Sequence, residues 1–285
     1  MNRKKIIYII GAGRSGTTLL DVALGNAGNV FSCGELNRYP VREGIPTGFQ
    51  NAPERLAFWS HFTENFQKNH DLKKQAILHD EFEYHKGLVK RLLGSSRKAK
   101  YEEYQQFLRD FYTKLFDSIE ESVVVDSSKY PGRALGISDA LPYEIDYIYI
   151  KRDPVSVVES FAKTDVYLPP KGWLQANVYY FLVNTLCKIV IGKLKRKHKV
   201  LEIKYEDFIE SPEKVMEVIQ QKLKIDLTTA IKKIKNDEYL KVGELFEGNS
   251  MRIDPQIKLK RSKQKAHRKN LRNSVTRLLN YSIYN

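Results

Sequence analysis

The sequence predicts an α/β fold, an open parallel β-sheet flanked by helices, because short apolar runs alternate with helical patterns along the chain. The runs are rich in valine, isoleucine and tyrosine and are bounded by polar or turn residues. This composition is typical of strands that are buried on both faces. The predicted strands are Lys5–Ile10, Ser122–Asp126, Asp146–Ile150 and Lys199–Ile203.

Helical patterns follow these strands. Thr17–Ala27 repeats its apolar residues at the spacing of an amphipathic helix. Pro154 is predicted to open a helix that ends near Lys163, and Pro212 to open another, because proline is favoured in the first turn of a helix.

Residues 38–118 have a different pattern, with long amphipathic stretches and no convincing strand. We interpret 38–118 as a helical insertion close to the functional site, within a single domain that spans 1–285, and 258–285 as a basic C-terminal segment. The amphipathic stretches are Pro53–Phe66, Tyr84–Leu93 and Tyr101–Phe116.

The composition is that of a globular protein with an anionic partner. The chain has 285 residues, 42% of them hydrophobic, and a formal net charge of +14. Such a charge favours nucleic acid, a membrane surface, or an anionic cofactor and substrate as the partner. Two cysteines, Cys33 and Cys187, and six scattered histidines offer no usual metal site or disulfide framework. We therefore expect no metal to be required.

The N-terminus begins like an export signal, with Met1–Lys5 followed by the apolar run Ile6–Ile10. That run is too short for a signal peptide. We expect no stretch to approach the eighteen or so apolar residues of a membrane helix. The sequence therefore predicts a soluble, cytoplasmic protein.

A glycine-rich loop directly follows the first predicted strand and directly precedes the first helix. Its two outer glycines have the Gly-x₄-Gly spacing of a P-loop, in which backbone N–H groups and the helix N-terminus bind an oxyanion. Thr17 stands where a nucleotide loop has its lysine, and Arg14 is basic instead, which argues against a Mg²⁺-dependent nucleotide site. The candidate binding residues are Gly11, Gly13, Arg14, Ser15, Gly16, Thr17 and Thr18.

With Leu19 included, Arg14–Leu19 reads Arg-Ser-Gly-Thr-Thr-Leu and resembles the 5′-phosphosulfate loop of the sulfotransferases that use 3′-phosphoadenosine 5′-phosphosulfate (PAPS). The arginine version is similar to the tyrosylprotein sulfotransferases and to bacterial relatives. The resemblance implies a sulfotransferase with PAPS as donor and adenosine 3′,5′-bisphosphate as product.

Other motifs follow in the order expected from this resemblance. Arg152, in Lys-Arg-Asp-Pro at a strand end, and Ser160 eight residues later are matched to the 3′-phosphate site. Tyr205, in Tyr-Glu-Asp-Phe, is matched to the tyrosine beside the adenine. Asn249 and Arg252 are similar to a Gly-Asn-x-x-Arg stretch that closes over the cofactor, which departs from the Arg-Lys-Gly stretch of the cytosolic enzymes.

The resemblance also assigns the catalytic residues. Lys129, in Asp-Ser-Ser-Lys, is matched to the lysine that approaches the transferring sulfuryl oxygens, and Arg14 is expected to assist it. Glu35 is matched to the glutamate base of the tyrosylprotein and heparan classes. Asp126 is the competing base, because it lies where the cytosolic enzymes have a histidine stretch.

The resemblance leaves the acceptor open. Candidates are a saccharide, a glycolipid, a protein tyrosine or a small alcohol, and we favour a glycan or lipid-linked sugar, with 38–118 near its site. The basic 258–285 segment is a candidate for peripheral membrane contact, and otherwise a mobile solvated tail; no nucleic acid is expected. The alternatives are a P-loop kinase or hydrolase and a basic nucleic-acid-binding protein.

Overall fold

The computed structural model describes residues 4–94, 98–163, 170–263, 267 and 270–284. Its centre is a parallel sheet of five strands in the order β2-β3-β1-β4-β5. The strands are β1 (Lys5–Gly11), β2 (Val30–Ser32), β3 (Val123–Lys129), β4 (Glu144–Lys151) and β5 (Lys199–Lys204). The α/β fold and all four predicted strands are confirmed, and β2 was missed.

Helices join the strands and cover both faces of the sheet. Those outside 38–118 are α1 (Thr17–Leu24), α6 (Pro131–Ala140), α7 (Pro154–Ala162), α8 (Trp173–Leu194), α9 (Tyr205–Glu210), α10 (Pro212–Leu223), α11 (Thr228–Lys235), α12 (Leu271–Leu279) and α13 (Tyr281–Tyr284). A short antiparallel pair, β6 (Leu240–Lys241) and β7 (Gln256–Ile257), follows α11.

The 38–118 segment contains α2 (Pro53–Phe66), α3 (Leu72–Glu83), α4 (His85–Leu92) and α5 (Lys98–Asp117). The expected helical character is present, and its described part contains no strand. Of these helices, α3 was not predicted.

Strand β1 lies at the centre of the sheet and is buried along its whole length. Because side chains alternate across a strand, Ile7 and Ile9 pack on one face with α1 and α10, while Ile6, Tyr8 and Ile10 pack on the other with the helices of 38–118, α6 and α8. The sheet is thus the middle layer of three.

Helix α8 corrects one expectation. Over 18 residues its mean hydropathy is 1.2, so by length and composition it could cross a membrane, although the sequence was expected to contain no such stretch. Within the fold, one face of α8 packs in the core, where Asn184 accepts a hydrogen bond from the Tyr149 hydroxyl at 2.8 Å.

The Arg55 guanidinium joins α2 to the chain that follows β6. It is fully buried and donates to the carbonyl oxygens of Gly243 at 3.0 and 3.1 Å, Gly48 at 3.0 Å and Arg252 at 2.7 Å. The Trp59 indole adds a bond to the Glu244 carbonyl at 2.7 Å. Helix α2 and residues 243–252 are therefore held together by side-chain contacts to backbone.

The order of the strands identifies a crevice for ligands. The connection after β1 leads toward one edge of the sheet, to β2, and the connection after β4 leads toward the other edge, to β5. In open α/β sheets, ligands bind outside the carboxyl ends of the strands at such a reversal. A ligand is therefore expected at the crevice between β1 and β4.

Candidate functional site

The glycine-rich loop lies at this crevice, between the end of β1 and the start of α1. Gly16 immediately precedes α1 with a left-handed φ of 89°. A Cβ there would lie 2.3 Å from Cδ2 of Tyr205, so both the backbone angle and the packing require glycine. Because the first N–H groups of α1 have no partner within the helix, the loop presents donors toward the crevice.

A cavity of about 390 Å³ opens beside this loop. Ten of the predicted site residues line it: Gly11, Gly13, Arg14, Gly16, Thr17, Thr18, Glu35, Lys129, Asn249 and Arg252. Among the residues that the structure describes, the cavity wall does not include the other four predicted site residues, which are Ser15, Arg152, Ser160 and Tyr205.

Glu35 and Lys129 face each other in the cavity. The Lys129 Nζ lies 2.5 Å from Glu35 Oε1, and both side chains are mostly buried. Lys129 ends β3 with a left-handed φ of 63°. Glu35 follows β2 and Lys129 ends the neighbouring strand β3. The ion pair therefore links the ends of these two strands.

The backbone around Glu35 is fixed from both sides. Gly34, with φ 71°, accepts a hydrogen bond from Ser127 N at 2.9 Å, and Glu35 N donates to the Glu247 carbonyl at 2.8 Å. A Cβ on Gly34 would lie 2.3 Å from that carbonyl oxygen, so only glycine allows this approach. Glu35 is therefore held on a rigid backbone.

Asp21, on α1, supports the same turn from below. Its carboxylate is fully buried and accepts hydrogen bonds from Gly34 N at 2.9 Å, Ser127 Oγ at 2.6 Å and Ser32 Oγ at 2.5 Å. Burial raises the pKa of Asp21 to about 7, although these hydrogen bonds oppose the shift.

Asp126, the competing base, lies outside the cavity wall in a buried ionic network. Its carboxylate accepts from Arg133 Nε at 2.9 Å, from the Tyr112 hydroxyl at 2.5 Å and from Ser128 N at 2.8 Å. Arg133 also donates to Glu83 at 2.7 Å. Burial alone would raise the pKa of Glu83, but Arg133 and His79 hold it at about 2.

Arg152 and Tyr205 lie together on the other side of the loop. The Arg152 guanidinium is 4.3 Å from the centre of the Tyr205 ring and donates to the Arg14 carbonyl at 2.8 Å. The Tyr205 ring packs on Gly16. Ser160 lies in the last turn of α7, the helix that begins two residues after Arg152.

The Gly248–Arg252 turn reaches the start of α1 from the opposite direction. Asn249 N donates to Thr18 Oγ1 at 3.3 Å. Arg252 directs its Nη1 to the carbonyl oxygens of Gly248 and Asn249 and its Nε to Thr47 Oγ1. The arginine thus shapes its own turn, which the motif did not predict.

Several residues of the cavity wall were missed. Arg42 forms a two-contact ion pair with Glu247, at 3.1 and 3.3 Å, and Arg38 lies 3.7 Å from the same carboxylate. The position of Glu247 directly before the Gly248–Arg252 motif was the only available clue. The remaining missed residues are His85, Tyr130, Phe161, Lys171, Tyr179, Val183 and Ser250.

Ser15 shows how the loop could hold an anion. Its hydroxyl is buried at the centre of the loop and has no hydrogen-bond partner among the described residues. The Arg152 Nε is also buried and has no hydrogen-bond partner among the described residues. Buried polar atoms are normally satisfied, so donors left open at a loop and helix N-terminus fit a phosphate ligand.

Comparison with known proteins identifies the family and the fold. Residues 7–229 match the model of a family described as the sulfotransferase family. A search of curated proteins finds no match. Solved structures resemble the fold at low identity.

The sulfotransferase domain from the curacin biosynthetic pathway is 15% identical, with a TM-score of 0.50 and coverage of 98% of each chain. Sulfotransferase STF9 from Mycobacterium avium is 12% identical, with a TM-score of 0.51 over 83% of this chain and 68% of that chain. Sulfotransferase STF1 from Mycobacterium tuberculosis H37Rv is 15% identical, with a TM-score of 0.50 over 81% and 70%.

Proposed function

We propose, from the premise that this chain belongs to the sulfotransferase family, that it uses PAPS as donor and transfers the sulfuryl group to a hydroxyl or amine by in-line displacement. One observation carries the proposal. The glycine-rich loop and the Glu35–Lys129 pair face the same cavity, so a phosphate-binding element lies beside a candidate base and a cation.

The loop and its neighbours would hold the donor. The N-terminus of α1, the Ser15 hydroxyl and Arg14 suit the 5′-phosphosulfate. Arg152 would bind the 3′-phosphate, with Ser160 on the same connection, and Tyr205 would pack beside the adenine. Asn249 would close the cavity from the side of Thr18.

When bound, PAPS supplies a sulfur that bonds to the acceptor oxygen or nitrogen as its bond to the bridging phosphate oxygen breaks. Glu35 receives the proton that the acceptor loses. Lys129 and Arg14 stabilise negative charge on the sulfuryl oxygens and on the departing phosphate. Glu35 is preferred over Asp126 because it lines the cavity, whereas the Asp126 carboxylate accepts bonds from Arg133 and Tyr112.

The acceptor is proposed to be a saccharide or glycolipid and to enter beside residues 38–118. From this segment, Arg38, Arg42 and His85 reach the cavity wall. Guanidinium groups and an imidazole, with Glu247 between the arginines, offer donors and acceptors that suit a ligand rich in hydroxyl groups.

Calorimetry with adenosine 3′,5′-bisphosphate in EDTA tests donor binding. We expect a Kd of about 1 μM or tighter, roughly −8 kcal/mol, without any metal. Arg14→Ala should weaken binding, whereas the control Arg196→Ala, at an exposed position after α8, should not. Binding that disappears on chelation, or a preference for ATP–Mg²⁺, would contradict the proposal.

The transfer itself is tested by incubating the enzyme with radiolabelled PAPS and a panel of acceptors. We expect label on a saccharide or glycolipid. If only a tyrosine peptide or a small alcohol is labelled, the proposed donor would stand and the proposed acceptor would be wrong.

A further inference from the structure

Helix α12 directs its three leucines toward solvent, whereas Thr276 and Asn280, the residue that follows the helix, face the protein. Thr276 and Asn280 are buried, and the Thr276 hydroxyl accepts a hydrogen bond from the Trp173 indole at 3.1 Å. Leu271 and Leu278, seven residues apart and therefore on one face, are 81% and 78% exposed. A surface helix of a globular protein normally has the opposite arrangement.

Helix α8, which contacts α12 through the Trp173–Thr276 hydrogen bond, also exposes apolar side chains. Its outer stripe has helical spacing and consists of Leu174, Val178, Phe181, Leu182 and Ile189, each at least 41% exposed. Helix α13 lies against α8, where Lys188 donates to the Ser282 carbonyl. We call the outer sides of α8 and α12 the apolar face.

The charge of the apolar face has a single sign. Exposed Lys188 and Lys193 lie on α8, and exposed Arg272 and Arg277 lie on α12. Neither Trp173–Leu194 nor Leu271–Tyr284 contains an aspartate or glutamate. The sequence that leads into α12, residues 258–272, contains eight lysines or arginines and no acid.

We propose that the apolar face docks on an anionic phospholipid bilayer. Leucines and an aromatic side chain on one side, with lysine and arginine beside them, are the composition of helices that lie in a membrane interface. Each cation near an anionic lipid surface adds attraction, and the absence of carboxylates removes the opposing repulsion.

A second copy of the chain fits this face less well. A two-fold dimer would pair the face with itself, so Lys188, Lys193, Arg272 and Arg277 would meet the same cations of the partner. Without carboxylates on these helices, the contact would bring like charges together. The charge pattern therefore favours a lipid surface.

Docking through α8 would also position the cavity. Tyr179 and Val183, on the inner side of α8, line the cavity wall. A helix with its side chains is about 10–12 Å across, so the cavity would lie within roughly that distance of the bilayer. This consequence rests on the proposed function, whereas docking itself does not.

Vesicle flotation tests the docking. We expect the protein to float with phosphatidylcholine vesicles that contain about one-quarter phosphatidylglycerol, and much less with pure phosphatidylcholine. At about 1 M NaCl, where the Debye length is about 3 Å, binding should fall. Failure to bind the anionic vesicles would overturn the proposal.

The matched variants are Leu271→Gln/Leu278→Gln and the control Ile77→Gln/Leu93→Gln. The control residues lie on α3 and directly after α4 and are 64% and 77% exposed. The partition coefficient of the α12 variant into the anionic vesicles should fall about tenfold or more for each leucine replaced. The control variant should partition like wild type. Circular dichroism verifies that both are folded.

Equal partition of the α12 variant and the control would overturn the proposal. So would a wild-type dimer in light scattering that the α12 variant abolishes, since a second copy would then cover the face. Adenosine 3′,5′-bisphosphate binding, measured on the same proteins, should be unchanged. A failure of donor binding would therefore be seen separately from a failure of docking.

Discussion

Replacing Glu35 by glutamine keeps the shape of the side chain and removes its ability to accept a proton. Loss of a general base lowers turnover by roughly 10²–10⁴-fold, which corresponds to about 2.7–5.4 kcal/mol of transition-state stabilisation. Both side chains of the Glu35–Lys129 pair are mostly buried, but glutamine can still accept a hydrogen bond from Lys129, so the free energy of unfolding should fall by no more than about 1.5–3 kcal/mol. Affinity for adenosine 3′,5′-bisphosphate should stay near that of wild type.

Asp126→Asn should have the opposite profile. It removes the charge that faces Arg133 in an ion pair whose side chains are at most 1% exposed. Breaking a buried pair by removing one partner costs about 3–5 kcal/mol of stability. The folded fraction should nevertheless turn over normally, because Asp126 is not in the cavity wall.

The assay follows adenosine 3′,5′-bisphosphate formed from PAPS with an acceptor found by the labelling screen, and urea unfolding is measured on the same preparations. The reasoning is refuted if Glu35→Gln retains full turnover while Asp126→Asn, shown to be folded, has none. The base would then lie at the end of β3, as in the cytosolic enzymes, with a carboxylate in place of histidine.

Three further predictions concern the donor site and the turn beneath Glu35. Arg152→Ala should weaken adenosine 3′,5′-bisphosphate binding by about 1.5–3 kcal/mol in calorimetry; an equal loss for adenosine 5′-phosphosulfate would place Arg152 away from the 3′-phosphate. Gly16→Ala should lose about 1–2 kcal/mol of stability from its left-handed backbone, and donor affinity with it, because its Cβ would meet Tyr205; wild-type urea melting and calorimetry would contradict this. Because burial raises the pKa of Asp21 to about 7, its ionisation opposes folding as pH rises from about 4 to 7. The free energy of unfolding of Asp21→Asn should therefore rise relative to that of wild type over this pH range, by on the order of 4 kcal/mol. Urea melts in which the difference between the two proteins does not change with pH would contradict the raised pKa.

Local sequence pattern was sufficient to predict four of the five strands of the sheet and the glycine-rich loop. The four predicted strands are continuous apolar runs, and the loop is recognisable because its glycines and Arg14 are adjacent in sequence. Strand β2 was missed because it has three residues and is defined by pairing with β3. Helix α3 has a mixed apolar pattern, and its start is marked only by Asp71, which accepts from Lys73 N and Lys74 N.

The side of the cavity formed by Arg42 and Glu247 could not be predicted in the same way. Arg42 and Glu247 are 205 residues apart in sequence, and no local motif joins them. Arg252 lines the cavity, as the motif suggested, but its Nη1 donates to carbonyl oxygens of its own turn and its Nε to Thr47 Oγ1. Proximity can follow from a motif, whereas the partner of each hydrogen bond depends on the folded chain.

The buried Arg55 has a consequence for engineering. One guanidinium joins α2 to the carbonyl oxygens of Gly243 and Arg252, so residues 38–118 and 243–252 depend on each other although they are distant in sequence. A chimera that exchanges 38–118 alone would put foreign side chains opposite these carbonyls. A stable exchange of residues 38–118 should therefore require transplanting residues 243–252 with them.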